Sequence, residues 1–206
     1  PELPTGTTFI HEAGPRERGG IAYFPNANND FDFARFRPHV ERLAPTVVYY
    51  MYSGLSDRGD ANGGCDLAAF AAWCRSRGSI VIADSHTLCS DPEALIASGA
   101  PVPAYGLLDP ILPELDIFFT SWDEARLIRA TLERSRRRPV NGDAAIEEFL
   151  LWLFERFGGD RRPHLFGVTV RDGAFAAASD AAGRFHGPRR FTSRFMCGEI
   201  VDLVGA

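Results

Sequence analysis

Hydrophobic positions along the chain switch repeatedly between helical and strand-like spacing. Apolar side chains recur every three to four residues across Phe31–Leu43, which predicts a helix there. The continuous β-rich run Thr46–Tyr52 predicts a strand buried on both faces. The same alternation predicts strands at Ser79–Ala83, Leu115–Thr120 and Leu165–Val170, a helix capped by Asp66, helical segments at Pro92–Ser98 and Tyr105–Leu112, and a helix from Asp143 to Phe157.

This order predicts an α/β fold. Strand–helix–strand units of this length are typical of a doubly wound, mostly parallel sheet with helices on both faces. The first residues differ, because Thr7–His11 and Ile21–Phe24 predict two short strands joined by a polar, Gly-containing loop. We therefore expect a small β segment over residues 1–30 and an α/β domain over residues 31–206.

Composition narrows the range of partners. The 206 residues carry a net charge of −5, whereas nucleic-acid binders are usually basic over a whole face. No apolar run approaches the ~20 residues of a membrane helix, and no signal peptide is visible. Four cysteines without a C-x-x-C pair fit a reducing compartment. We expect a cytoplasmic protein that binds neither nucleic acid nor membrane.

All 22 basic residues are arginines. A P-loop, a protein kinase and a pyridoxal-phosphate enzyme each require a lysine, so the chain alone can form none of these sites. If the protein binds phosphate, then arginine, backbone amides, a helix N-terminus or a metal ion must hold it.

Polar residues follow several predicted strands directly. Asp84, Ser121, Glu124 and Asp202 each lie at or just past a strand end, and ligands of parallel sheets bind at that edge. Ser121 and Glu124 also have the spacing of a capping box, in which serine and glutamate satisfy the first amides of a helix.

Four segments together resemble the PfkB (ribokinase-like) family of carbohydrate kinases. The segments are Pro4–Thr7 with the strand pair after it, Leu115–Ala125, Val168–Ala174 and Val201–Ala206. The family has Asn, Gly and Thr where this chain has Ser121, Val170 and Leu203. The resemblance covers nearly the whole chain, as the middle and later part of a longer enzyme.

The resemblance implies ATP- and Mg²⁺-dependent phosphorylation of a hydroxyl on a sugar or nucleoside. It implies that the N-terminal β segment is a lid over the sugar, and it puts the catalytic base just after Ala206. The chain by itself is therefore expected to be inactive. Because uncovered strand edges invite pairing, the lid also suggests a homodimer contact.

The resemblance also assigns roles to individual residues. Glu124 is expected to organise Mg²⁺ through water, and Asp202 to lie at a monovalent-cation site that would hold K⁺. The residues expected to bind ATP, or to begin the anion hole, are Ser121, Thr169, Gly173, Gly205 and Ala206.

Each assignment has a structural alternative. Glu124 could serve only as a helix cap, Asp84 and Asp202 as turn residues, and Gly173 as a hairpin glycine. The protein as a whole could be a non-catalytic relative that binds a ligand or oligomerises, which the departures at Ser121 and Val170 favour. An unrelated doubly wound hydrolase or binding domain is the third reading, although no G-x-S-x-G or G-x-G-x-x-G occurs.

Overall fold

The computed structural model describes residues 4–14, 17–51, 56–86, 91–134, 142–158 and 162–192. The strands in these ranges are β1 (Thr7–Gly14), β2 (Glu17–Phe24), β3 (Val47–Met51), β4 (Ile80–Asp84), β5 (Ile117–Ser121), β6 (His164–Val170), β7 (Gly173–Ser179) and β8 (Phe185–Thr192). The α-helices are α1 (Phe33–Leu43), α2 (Cys65–Ser76), α3 (Pro92–Ser98), α4 (Leu108–Ile111), α5 (Trp122–Glu133) and α6 (Asp143–Phe157). Short 3₁₀ turns occupy Asn26–Asp30, Ala61–Gly64, Pro103–Leu107 and Leu112–Glu114.

Strands β3 to β8 form one six-stranded sheet within the described residues, in the spatial order of the chain. Strands β3 to β6 are parallel, and β7 and β8 continue the sheet antiparallel. Helical crossovers allow parallel neighbours, whereas the two-residue turn between β6 and β7 requires an antiparallel pair. The predicted α/β class with a mostly parallel sheet is confirmed.

The described helices cover one face of this sheet, whereas the sequence predicts helices on both faces. Helix α5 packs on β5 and β6, and α6 packs on β6 and β7. Phe118, Phe166 and Phe175 point into this layer and are at most 1% exposed. Burying one such side chain stabilises the fold by roughly 1.5–3 kcal/mol, so this layer is the main core.

The opposite face of the sheet is open within the described ranges. Val47, Tyr49 and Met51 alternate along β3 and are 46–53% exposed, and Ile80 and Phe119 continue the same face. The prediction that this strand is buried on both faces is therefore wrong for the described residues. Apolar composition alone does not distinguish a covered face from an open one.

The N-terminal strands form a separate antiparallel pair. Strands β1 and β2 pair only with each other in the described structure, and the rings of Phe9 and Phe24 meet edge to face at 5.8 Å. Both strands are longer than predicted, because the chain stays extended to Gly14 and again from Glu17. The domain boundary at residue 30 and the dimer contact through this pair stay predictions.

Helix α2 begins differently from the prediction. Gly64 precedes the helix with φ +86°, and a Cβ there would fall 2.5 Å from the Leu107 carbonyl oxygen. This glycine turn starts the helix at Cys65, so Asp66 lies inside the first turn and is not the N-cap. The Asp66 carboxylate accepts a hydrogen bond from Asn62 Nδ2 at 3.0 Å instead. The predicted C′ glycine, Gly78, is confirmed at φ +90°.

Among the described residues, no single helix is long and apolar enough to cross a membrane. One bent pair, Pro92–Ser98 with Pro103–Glu114, meets the length and composition criteria.

Candidate functional site

The carboxyl ends of β4, β5 and β6 bring predicted site residues to one edge of the sheet. Asp84 is the last residue of β4 and lies beside Phe119 of β5. Ser121 ends β5 and is in register with Thr169 of β6. Because parallel strands end at the same edge, residues far apart in sequence face one region.

Glu124 occupies the first turn of α5 and closes the predicted capping box. The Glu124 amide donates to Ser121 Oγ at 3.3 Å, and the Ser121 amide donates to Glu124 Oε2 at 3.1 Å. Glu124 is 7% exposed, which is unusual for a carboxylate. Its position is therefore fixed by the backbone of the strand–helix junction.

Ser85 ties Glu124 to the neighbouring strand. Ser85 Oγ lies 2.7 Å from Glu124 Oε2 and 2.7 Å from Thr120 Oγ1, and both hydroxyl residues are buried. A carboxylate is the stronger acceptor, so we assign the Ser85 hydrogen to Glu124. These contacts connect the end of β5 with the residue that follows β4.

Asp84 faces the open side of the same edge. Tyr49 donates its hydroxyl hydrogen to Asp84 Oδ2 at 3.2 Å from β3. Burial raises the pKa of the Asp84 carboxyl above its ordinary value, and the nearby Glu124 charge raises it further. The Tyr49 hydrogen bond and His86 act in the opposite direction. The Glu124 carboxylate thus lies close enough to Asp84 to affect the pKa of Asp84.

The segment after β4 is held in place by the core. The Ser85 amide donates to the Phe119 carbonyl at 3.0 Å. The hydroxyl of Tyr105, a fully buried side chain, donates to the His86 carbonyl at 3.0 Å. Ser85 and His86, which follow β4, are therefore tied by hydrogen bonds of their backbone to β5 and to the core.

Of the other residues that the sequence predicts for the site, the structure describes Thr169 and Gly173. Thr169 is exposed, and its hydroxyl donates to the Thr120 carbonyl at 3.4 Å. Gly173 begins β7 after the turn from β6, opposite Val170, as the hairpin reading predicts. Asp202, Gly205 and Ala206 lie outside the described residues.

Sequence reasoning missed Ser85, Thr120 and Tyr49. Thr120 had a signal in the sequence, because it is a polar residue in an apolar strand. The structure buries it, at 2% exposure. Ser85 directly follows Asp84. Tyr49 lies on the exposed face of β3. Only the pairing of β3, β4 and β5 shows that all three contact the predicted carboxylates.

The carboxylates suit one kind of metal site. Within the described ranges no three His, Cys, Asp or Glu side chains are grouped to hold an ion directly. Mg²⁺ usually keeps several waters and takes only one or two carboxylates together with substrate phosphates. Asp84 and Glu124 fit that water-mediated arrangement and do not fit an all-protein cage.

Comparisons with known proteins find similarity in structure only. No protein-family model and no curated protein matches the sequence. Among solved structures, adenosine kinase from Anopheles gambiae has a TM-score of 0.58 at 16% identity, over 93% of this chain and 50% of that chain. Ribokinase from Giardia lamblia has a TM-score of 0.58 at 16% identity, over 90% and 48%.

A PfkB protein from Polaromonas sp. JS666 is similar at a TM-score of 0.55 and 14% identity, over 92% of this chain and 54% of that one. This chain thus spans about half the length of each of the three structures. The identities are too low to carry more than architecture. The chain has the ribokinase-like α/β fold that these adenosine kinase, ribokinase and PfkB structures share.

Proposed function

We propose that the complete protein transfers the γ-phosphate of MgATP to a hydroxyl of a sugar or nucleoside. The observation that carries this proposal is the pair of carboxylates, Asp84 and Glu124, at the carboxyl edge of a ribokinase-like sheet. The similar structures include kinases of adenosine and ribokinases, which supports a small hydroxylated acceptor.

Phosphoryl transfer of this type needs charge neutralisation and positioning more than covalent help from the protein. In our proposal Glu124 and Asp84 would hold Mg²⁺ through water, and the bound metal would supply positive charge to the phosphates of ATP. Because this chain has arginines and no lysine, its contribution to the neutralisation would come from arginine, from backbone amides and from the metal that it holds. Ser85 would keep the Glu124 carboxylate oriented by donating to it.

The nucleotide and anion roles remain part of the proposal. Ser121, Thr169 and Gly173 lie at or near the ends of neighbouring strands, where an ATP phosphate chain or ribose could bind. Asp202, Gly205 and Ala206, proposed for K⁺ and for the anion hole, belong to the undescribed end of the chain.

One observation favours the non-catalytic alternative. The Glu124 carboxylate accepts hydrogen bonds from Ser85 and from the Ser121 amide, so its burial has a complete structural explanation. A ligand-binding relative without catalysis would need this cap just as much. An activity assay therefore separates the two functions.

The experiment is ADP formation by the full-length protein with MgATP, assayed against a panel of sugars and nucleosides. The proposal expects ADP release that depends on both Mg²⁺ and one class of acceptor. ADP release that is absent with every acceptor, in a protein that binds MgATP, would favour the non-catalytic reading.

A further inference from the structure

The turn after β3 is docked on the segment that leads out of the β1–β2 pair. The Asp57 amide donates to Asn29 Oδ1 at 2.8 Å, and the Arg58 amide donates to the Asn29 carbonyl at 3.2 Å. Asn29 Nδ2 donates in return to the Asp57 carboxylate. Asn29 is thus bonded through its side chain and its backbone to one short turn.

Arg58 adds a two-pronged ionic contact to this docking. Its Nη1 donates to Asp30 Oδ1 and its Nη2 to Asp32 Oδ2, both at 2.6 Å. The guanidinium holds the pKa of Asp30 below its ordinary value by hydrogen bonding and charge. Asp32 is also the N-cap of α1, because its other oxygen accepts from the Ala34 amide at 2.9 Å. One arginine therefore holds the two residues that flank Phe31 in the chain.

Phe31, the residue between the two aspartates, packs against three other aromatic rings. Phe31 stacks on Phe36 at a centroid distance of 4.3 Å and meets Phe33 edge to face at 5.0 Å. It also meets Tyr50 of β3 at 6.1 Å. The segment is held by the Arg58 ion pairs and by the ring packing of Phe31, so it cannot rotate without breaking one of these two sets of contacts.

The other end of this segment is joined to the base of the β1–β2 pair. The Ala27 amide donates to the Pro4 carbonyl at 3.0 Å, and Asn26 Nδ2 donates to the Thr5 carbonyl at 3.2 Å. A continuous series of contacts therefore runs from the strand pair through residues 26–32 to the turn that follows β3. That turn lies at the carboxyl edge of the sheet, as the candidate site does.

We propose that Arg58 is a positioning residue that sets the orientation of the β1–β2 pair relative to the carboxyl edge of the sheet. The inference goes beyond the proposed kinase activity and holds for a catalytic or a non-catalytic protein. The Arg58 side chain is 44% exposed and Asp30 is 50% exposed, so salt can screen that arm of the contact, whereas Asp32 is 18% exposed and its arm is screened less. The arrangement is therefore an ionic latch whose strength depends on ionic strength.

Amide hydrogen exchange in the full-length protein tests this latch. In Arg58→Ala, peptides covering residues 17–32 are expected to exchange about fivefold faster, since local opening no longer breaks the paired contacts. Peptides covering β5 and β6 are expected to stay unchanged. Arg58→Lys, which offers one point charge in place of a fork, is expected to fall between the two.

Arg35→Ala is the matched control. Arg35 also pairs with Asp32, at 3.6 Å, but it lies on α1 and does not bridge to the β3 turn. In Arg35→Ala, the amide exchange rate over residues 17–32 should match that of the wild type. The wild type in 0.5 M NaCl should approach Arg58→Ala, and this arm gives a readout even if that variant does not fold.

Three results would overturn the proposal. The first is unchanged exchange over residues 17–32 in Arg58→Ala. The second is an equal rise in the β5 and β6 peptides, which would mean a loss of global stability. The third is an equal effect of Arg35→Ala, which would mean a general charge effect. None of these readouts uses activity, so failure of the latch and failure of the proposed kinase function are distinguishable.

Discussion

Ser85 and Glu124 are joined by a hydrogen bond of 2.7 Å that connects the carboxyl ends of two adjacent parallel strands. Ser85 follows β4 and Glu124 caps the helix that follows β5. The contact places a buried, oriented carboxylate beside Asp84. It also gives Glu124 a structural task, which any test of a chemical role has to separate.

Glu124→Gln separates the two tasks. Glutamine also completes a capping box, so the variant is expected to lose less than about 1 kcal/mol of unfolding free energy. It removes the charge that would order the waters of Mg²⁺, and loss of such an outer-shell ligand typically lowers activity by about 10–100-fold. Urea unfolding and kcat on the same preparation measure both quantities.

Glu124→Ala is the contrasting variant. It leaves the Ser121 amide without its acceptor and leaves Ser85 only Thr120 to donate to, so we expect about 2 kcal/mol of destabilisation in addition to the loss of activity. If Glu124→Gln keeps full kcat, Glu124 is a cap only.

Asp84→Asn is expected to change how stability depends on pH. The pKa of Asp84 is raised in the folded protein, so the unfolded state ionises first as the pH rises. Wild-type stability therefore falls from the ordinary aspartate pKa upward through the folded pKa. The variant should be the more stable protein at pH 7, and the difference should vanish below about pH 3. Thermal unfolding across this range measures it.

Tyr49→Phe is the control for the Asp84 prediction. Tyr49 donates to the Asp84 carboxylate and lowers its pKa, so its removal should move the pH-dependent loss of stability to higher pH. A variant whose pH profile matches the wild type would contradict the assigned hydrogen bond.

Asp180 in the β7–β8 turn is expected to stabilise the hairpin down to acidic pH. Its carboxylate accepts from the Arg184 amide and the Ala182 amide, each at 2.9 Å. These bonds, the Arg184 amide first, hold the pKa of Asp180 well below its ordinary value. Stability from this group is therefore complete above the ordinary aspartate pKa and is lost only as the pH falls through the lowered one.

The measurement is the gap in Tm between wild type and Asp180→Asn. The gap should persist from neutral pH through about pH 4 and close only at more acidic pH. Arg184→Ala keeps the backbone amide that contributes most, so its gap should be much smaller. A large effect of Arg184→Ala would mean that the side-chain ion pair dominates.

Gly167 of β6 leaves room for the ring of Phe119. A Cβ at Gly167 would lie 2.5 Å from two ring carbons of Phe119, on the open face of the sheet. Gly167→Ala should therefore displace the ring and cost about 1–2 kcal/mol. In a Phe119→Ala background the same substitution should cost little, and denaturant unfolding of the double-mutant cycle measures the coupling. Equal costs in both backgrounds would contradict this packing.

Much of the fold could be predicted because hydrophobic periodicity is a local property. Helix α3 has the predicted bounds, and the capping box at Ser121 and Glu124 forms as its spacing indicates. The predicted start of α2 was wrong, because the actual start depends on the close approach of Gly64 to Leu107, which is a contact between distant segments. The open face of β3 was also not predicted, because whether a sheet face is covered depends on how distant segments pack.

The candidate site was predictable only in part. The strand-end rule found Asp84, Ser121 and Glu124, because each follows an apolar run. It could not find Ser85 or Tyr49 as their partners, since those contacts depend on which strands are neighbours. Arg58 gave no signal at all, because its aspartates lie 28 and 26 residues earlier in the chain.

Transfer of a labelled γ-phosphate tests the central claim most directly. Full-length protein is incubated with MgATP and a mixed panel of sugars and nucleosides, and the products are identified by mass. The account predicts a phosphorylated sugar or nucleoside that does not form without Mg²⁺ and that decreases about 10–100-fold in Glu124→Gln. Protein that binds MgATP and yet phosphorylates no acceptor of either class would contradict it.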